Sequence, residues 1–233
     1  MCSDSQSLSG VIVLDKPAGI TSARAVDVVK RSLPRGTKIG HAGTLDPFAT
    51  GVLVLLLGKA TKQCEALMDR PKSYQATVKL GATTQTDDPE SEELPTPRAV
   101  PIGRDQIEAA LAQFRGVIQQ RPPAYSAIKV AGRRAYDLAR KGHQAALEPR
   151  PVTIHRLFVQ DYEWPHLQLA IDCGRGTYIR SLARDIGETL GVGGYLTQLR
   201  RTRVGPYAIE SAVPLHQVTP DNLMAVVLRT PSL

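Results

Sequence analysis

Apolar positions along the chain switch between a two-residue and a helical period, and the switches mark out the elements. Gly10 to Asp15 (GVIVLD) is apolar up to its last residue and predicts a buried strand closed by Lys16-Pro17. Ala25, Val26, Val29 and Leu33 then recur at helical spacing behind a Thr21-Ser22 start signal. Residues 34 to 51 have no period and carry four glycines, which predicts a long loop entering the continuous apolar strand Val52 to Leu57. Tyr74, Ala76, Val78 and Leu80 alternate with Gln75, Thr77 and Lys79, the pattern of a half-buried strand. From Asp87 to Pro101 the chain is acidic, holds four prolines and reads as a surface loop. Ile107, Leu111 and Phe114 mark a helix. Strands follow at about 152 to 160 and 167 to 173, then a helix from about Tyr178 to Leu190, a strand at about 195 to 203 and a last helix after Pro220. Helices and strands are mixed without the regular alternation of a doubly wound sheet, so the class is α+β.

Composition narrows this picture. With 42% hydrophobic and 22% charged residues, 233 residues suit a soluble globular chain of one large or two small domains. No apolar run approaches the roughly 20 residues that span a bilayer, and residues 1 to 9 lack the basic-then-apolar order of an export signal. The expected location is the cytoplasm. Cys2, Cys64 and Cys173 are odd in number and widely spaced, which argues against a disulfide framework or a zinc site and for reduced thiols.

A net charge of +7 favours a polyanionic partner, because each neutralised phosphate releases condensed counterions. Much of that charge lies in Arg121 to Gly142 (RPPAYSAIKVAGRRAYDLARKG), where Tyr125 and Tyr136 interleave with Lys129, Arg133, Arg134, Arg140 and Lys141. Clustered cations with aromatic rings offer phosphate contacts and stacking surfaces, and equally describe a solvated face. Arg150, Arg156, Arg175, Arg184, Arg200, Arg201 and Arg203 form a second reservoir.

Candidate chemistry concentrates in residues 40 to 51, where His41, Thr44, Asp46 and Thr50 sit among Gly40, Gly43 and Gly51. Glycines permit sharp turns and close approach of a ligand, so Asp46 is either a turn acceptor before Pro47 or a carboxylate at a binding site. Composition leaves both open. No Gly-x-x-x-x-Gly-Lys-Ser/Thr pattern is present, so a nucleotide-phosphate loop is not indicated.

The longer string GHAGTLDPFATGVL, preceded by GVIVLDKPAGITS, resembles the catalytic motif of the TruB family, the bacterial tRNA pseudouridine synthases that act on the uridine at tRNA position 55. SYQATVKLGATTQTDD, RPPAYSAIKVAGRRAYDLARKG, GRGTYIRSLARDIGETLG and YLTQLRRTRVGPY follow in the same order, so the resemblance covers residues 10 to 210. It implies a pseudouridine synthase fold, a large mixed and mostly antiparallel sheet flanked by helices, as one catalytic domain over 1–233. A flexible basic insertion over about 119–150 closes on the tRNA T-arm, and Lys129, Arg133, Arg134 and Lys141 are its RNA-binding candidates.

By the same resemblance Asp46 is the catalytic aspartate and Arg180 the arginine that favours its ionised form. Tyr74 stacks on the flipped uracil, Tyr178 contacts the target nucleotide, Leu199 lines the uracil pocket, and His41 fills space left by the flipped base. No metal or organic cofactor is implied, because the reaction is redox-neutral and needs no co-reactant. The chain ends about 25 residues past the last motif, which leaves no room for the PUA-type RNA-binding domain many members carry. The expectation is a monomer that acts on tRNA without a guide RNA, a protein partner or a membrane. Rival readings are a guide-RNA-dependent relative, which normally adds the missing domain, and a non-catalytic RNA-binding or tRNA-folding module, which would not need Asp46 and Arg180. A hydrolase with an aspartate nucleophile should show a metal cluster or phosphate loop.

Overall fold

A computed structural model of the chain describes residues 8–126, 147–228 and, as backbone alone, 129–130 and 133–134. In chain order the elements are β1 (Gly10–Lys16), α1 (Ser22–Arg31), β2 (Ile39–His41), β3 (Thr50–Leu57), α2 (Cys64–Asp69), β4 (Lys72–Leu80), β5 (Ala82–Thr84), β6 (Glu93–Pro95), α3 (Arg104–Ala112), β7 (Gly116–Gln120), β8 (Lys129–Val130), β9 (Arg133–Arg134), β10 (Arg150–Glu163), β11 (His166–Cys173), α4 (Ile179–Thr189), β12 (Gly194–Val204), β13 (Tyr207–Ala208), β14 (Val213–Pro214) and α5 (Leu223–Val226). They gather into two compact units, Met1–Ser73 with Arg200–Leu233, and Tyr74–Leu199; the chain passes from one to the other within β4 and β12. Pairing is mixed and mostly antiparallel, with helices flanking the strands, so the architecture is α+β.

In the first unit the hydrogen-bonded order is β14-β1-β3-β12, with β2 also on β3 and β13 on β12. β1 and β3 read as continuous apolar runs because both of their faces are buried. Val11, Val13, Val52, Val54 and Leu56 pack with Leu67 and Tyr207. Ile12, Leu14, Leu53, Leu55 and Leu57 face the other way, onto Ala25, Val29 and Leu33. Helix α1 starts where the sequence signals it: the Thr21 side chain accepts a hydrogen bond from Arg24 N and satisfies one of the free N–H groups of the first turn.

In the second unit the order is β12-β4-β11-β10-β7. β10 and β11 form a long antiparallel pair, and β7 continues it on the outer side of β10. Helix α4 buries Ile179, Leu182, Ala183 and Ile186. Its Gly187 meets the following turn backbone to backbone: a Cβ there would lie 2.2 Å from Gly194 N and 2.3 Å from Gly193 C.

Two sequence expectations need correction. Residues 34 to 51 are not one loop: Ile39–His41 form β2, which pairs antiparallel with β3 through Ile39↔Leu57 and His41↔Leu55, and β3 already begins at Thr50. The Asp87–Pro101 segment is not only surface. Asp88 is 2% exposed, whereas all three residues of β6 within the same segment are exposed. The proline and acidic content that suggested solvent exposure also serves a turn that drives one carboxylate inward. The ends of the basic insertion, 119–120 and 150, belong to β7 and β10.

The Gly187 contact gives a direct test. Gly187→Ala should destabilise the protein by about 3 kcal/mol, since the methyl must displace main chain rather than a side chain. A urea midpoint within experimental error of the wild type would show that the helix and turn separate easily.

Candidate active site

Asp46 lies half-buried in the loop between β2 and β3, and the main chain on both sides of it is tied down. Ser22, fully buried at the start of α1, donates from Oγ to Leu45 O at 3.0 Å and accepts from Leu45 N at 2.8 Å. Lys16 Nζ donates to Pro47 O at 3.2 Å, and also to Pro17 O and Ile20 O at 2.8 Å each. Gly19 N reaches the same Pro47 O at 2.9 Å, and Ala49 N bonds Asp46 O at 3.2 Å. From β12, the buried Arg201 donates to Gly43 O at 3.1 Å, Thr44 O at 3.3 Å and Val52 O at 2.7 Å.

His41 ends β2 and is half-buried, with its carbonyl accepting from Cys64 Sγ at 3.4 Å. Its Nδ1 is buried with no hydrogen-bond partner among the described residues. Burial, and then the positive charge of Arg201, hold the imidazole below its ordinary pKa. His41 is therefore neutral at physiological pH.

The second unit carries the other predicted residues. Arg180, in the first turn of α4, is 5% exposed, and its guanidinium donates to Asp88 Oδ2 at 3.0 Å, Thr86 O at 3.1 Å and Tyr125 O at 3.0 Å. Asp88 is itself turned by Thr86 Oγ1 and Glu90 N, which bond its Oδ1. Tyr178 precedes the helix, and buried Gln120 brackets its main chain: Gln120 Oε1 accepts from Tyr178 N at 2.8 Å and Nε2 donates to Tyr178 O at 3.0 Å. Tyr74 and Leu199 are buried on the neighbouring strands β4 and β12.

Alongside, Arg184 pairs with Asp87 at 2.9 Å and Asp185 at 2.8 Å. Burial pushes the Asp87 carboxyl up to about 6 against the pull of Arg184. Lys129 lies on β8 and Arg133 and Arg134 on β9, which pair antiparallel; their side chains, and Lys141 altogether, lie outside the described residues.

Sequence reasoning passed over Asp88, Gln120, Ser22, Lys16 and Arg201. On sequence alone Ser22 is part of a helix start, Lys16 the end of a strand, and Arg201 general positive charge. For Lys16 and Arg201 the signal is a polar residue inside an apolar pattern, since Lys16 follows GVIVLD and Arg201 shares a buried strand face with Leu199.

His41 sets a pH dependence whose sign follows from its lowered pKa. Below about 6.5 the unfolded imidazole takes up a proton that the folded one resists, so its contribution to stability is complete above that pH and is lost as pH falls toward the folded value. Asp87 acts oppositely, losing stability as pH rises from about 3.8 toward 6. Comparing wild type with His41→Gln cancels the Asp87 contribution. Urea unfolding between about pH 5 and 7.5 should show the wild type losing more stability on acidification than the variant; parallel profiles would contradict a depressed His41.

Comparison with known proteins assigns the chain. The family model described as TruB family pseudouridylate synthase (N terminal domain) matches residues 30–179, and the tRNA pseudouridylate synthase B C-terminal domain matches residues 180–226. A protein of Pseudomonas syringae named tRNA pseudouridine synthase B is 50% identical over 213 residues, 91% of this chain and 69% of that protein. Its namesake in Corynebacterium diphtheriae is 45% identical over 227 residues, 94% of this chain and 75% of that protein. Among solved structures, an H/ACA RNP bound to a substrate RNA containing 2′-deoxyuridine matches with TM-score 0.66 at 32% identity, over 89% of this chain and 51% of that one. An archaeal box H/ACA sRNP complex matches with TM-score 0.66 at 31% identity, over 91% and 53%. The chain thus spans about half the length of these solved chains. On the extent of the family match and the identity to its members, the chain belongs to the TruB family of pseudouridylate synthases.

Proposed function

We propose that the chain is a tRNA pseudouridine synthase that isomerises the uridine at position 55 of the T-arm, with Asp46 attacking the flipped-out nucleotide. The reaction breaks the N1–C1′ bond, turns the uracil and forms a C5–C1′ bond; C5 loses a proton and N1 gains one, so atoms and electrons balance within the RNA. The observation that carries this reading is 50% identity to tRNA pseudouridine synthase B over 91% of this chain, with the family model spanning the Asp46 loop. The geometry suits it, because a nucleophile that must meet one sugar carbon gains from a main chain that does not wander. Arg180 is the cation of the reaction, held in place by Asp88 and two carbonyls. Tyr74, Tyr178 and Leu199 receive the nucleotide, whose extrusion costs a few kcal/mol that contacts must return, and His41 fills the space it leaves. Lys129, Arg133, Arg134 and Lys141 contact RNA phosphates. The protein acts as a cytoplasmic monomer without cofactor, guide RNA or protein partner.

A guide-RNA-dependent role is the second reading, favoured by the H/ACA assemblies among the structural matches. Purified protein incubated with unmodified tRNA transcript alone, followed by mapping of pseudouridine, separates the two. Product at position 55 is expected; product only after a guide RNA is added would select the alternative.

Asp46→Asn should abolish product while tRNA affinity stays within about threefold, because the loop is preserved and the nucleophile is not. Turnover by that variant would refute the assignment. Binding should also weaken steeply with salt, with log K falling linearly against log[salt] as phosphate contacts are screened; a flat response would rule out a phosphate-based interface.

A further inference from the structure

Arg201 is 1% exposed, yet its three described hydrogen bonds all end on main-chain carbonyls. Two belong to the loop that carries Asp46, Gly43 and Thr44, and the third, Val52, belongs to the strand into which that loop runs. A guanidinium has five N–H donors in a rigid planar fork, so one side chain fixes three carbonyls at set angles to each other; an ammonium has three rotatable donors on a flexible stem and holds their directions less closely. The fork is itself located by the sheet. β12 runs parallel to β3 with Arg201 opposite Gly51, and a Cβ on Gly51 would lie 2.2 Å from Arg201 O, so the two main chains touch. Gly51 also has φ +101°, a conformation open to glycine at little cost. From α1, Ser22 holds Leu45 through both its N–H and its carbonyl. The two side chains thus grip the three residues that lead into Asp46.

We infer that Arg201 and Ser22 are positioning residues for catalysis: they set the path of the loop from Gly43 to Leu45 and thereby the place of the Asp46 carboxylate. This rests on the reading of Asp46 as the nucleophile. Neither side chain needs to touch substrate. A merely structural role would lower stability and leave the rate of the folded protein unchanged, whereas a positioning role shifts the chemical step at constant affinity.

The test uses the full chain, the variants Arg201→Lys and Ser22→Ala, and unmodified tRNA transcript. Lysine keeps the charge and loses the fork; alanine removes one hydroxyl at little change in volume. With enzyme saturating, single-turnover pseudouridine formation should fall about 10- to 100-fold in each variant, the scale of a misplacement near 1 Å, while tRNA affinity stays within about threefold. Amide hydrogen exchange at Thr44 to Asp46 should accelerate in both variants. A wild-type single-turnover rate in either variant, or unchanged loop exchange, overturns the inference. If Arg201→Lys does not fold, Ser22→Ala decides by the same two readouts. Should the wild type form no pseudouridine on tRNA, the functional reading fails, and loop exchange alone still tells whether these residues fix the loop.

Discussion

Five consecutive main-chain carbonyls, from Gly43 to Pro47, are all engaged by donors of the first unit, and the candidate site there depends on that arrangement. Arg201 takes the first two, Ser22 the third, Ala49 N the fourth, and Gly19 N with Lys16 the fifth. A loop without periodic structure would otherwise leave its carbonyls to water and its path to thermal motion. A buried carbonyl that lost its donor, such as that of Leu45, would cost about 1–3 kcal/mol, and the donors on its neighbours add to the cost of alternative loop paths. Asp46 therefore rides on a framework as defined as a strand, although it has no strand's ladder.

The second unit handles its buried cations differently. Arg180 has a carboxylate partner, Asp88, that is itself buried and fixed by Thr86 and Glu90 N. Removing one member of such a pair leaves an uncompensated charge and typically costs about 3–5 kcal/mol, more than the pair contributes over an apolar substitute. Burial of this kind is therefore better explained by direction than by stability. The guanidinium is held by a carboxylate and two carbonyls, which fixes its orientation. Arg201 achieves the same immobility on carbonyls, and its charge adds to burial in holding the His41 imidazole below its ordinary pKa.

Much of the fold was legible because burial and secondary structure share a period. β1 and β3 announce themselves as unbroken apolar runs, β4 as an alternation, and α1 and α4 through spacing and boundaries. What could not be read was long-range polar pairing. Asp88 sits in a stretch rich in proline and acid, and nothing local distinguishes it from Glu90 or Glu92, which stay exposed or partly so. It is buried because Arg180, 92 residues away, gives it a partner. β2 is hidden for a related reason: three residues with a glycine at their centre, between Lys38 and Ala42, have no period of their own and exist as a strand through pairing with β3. Asp46, by contrast, is ambiguous as a composition and becomes a candidate nucleophile only as part of an ordered string of family motifs.

The chemistry explains why position should matter so much here. The proposed reaction consumes no co-reactant and changes no oxidation state, so acceleration comes from where the proposed nucleophile and the surrounding charges stand relative to one carbon of a displaced nucleotide. Correct placement of reacting groups can supply about 7–11 kcal/mol, far more than a single hydrogen bond can. A carboxylate on a mobile loop would forfeit part of that through motion at each turnover. Fixing the loop during folding moves the entropic cost into the stability of the protein, where the apolar layers on both faces of β1 and β3 offset it. The buried strands and the tethered loop are in this sense one device: the core holds β3 and β12 in register, the register places Arg201, and Arg201 shapes the approach to Asp46.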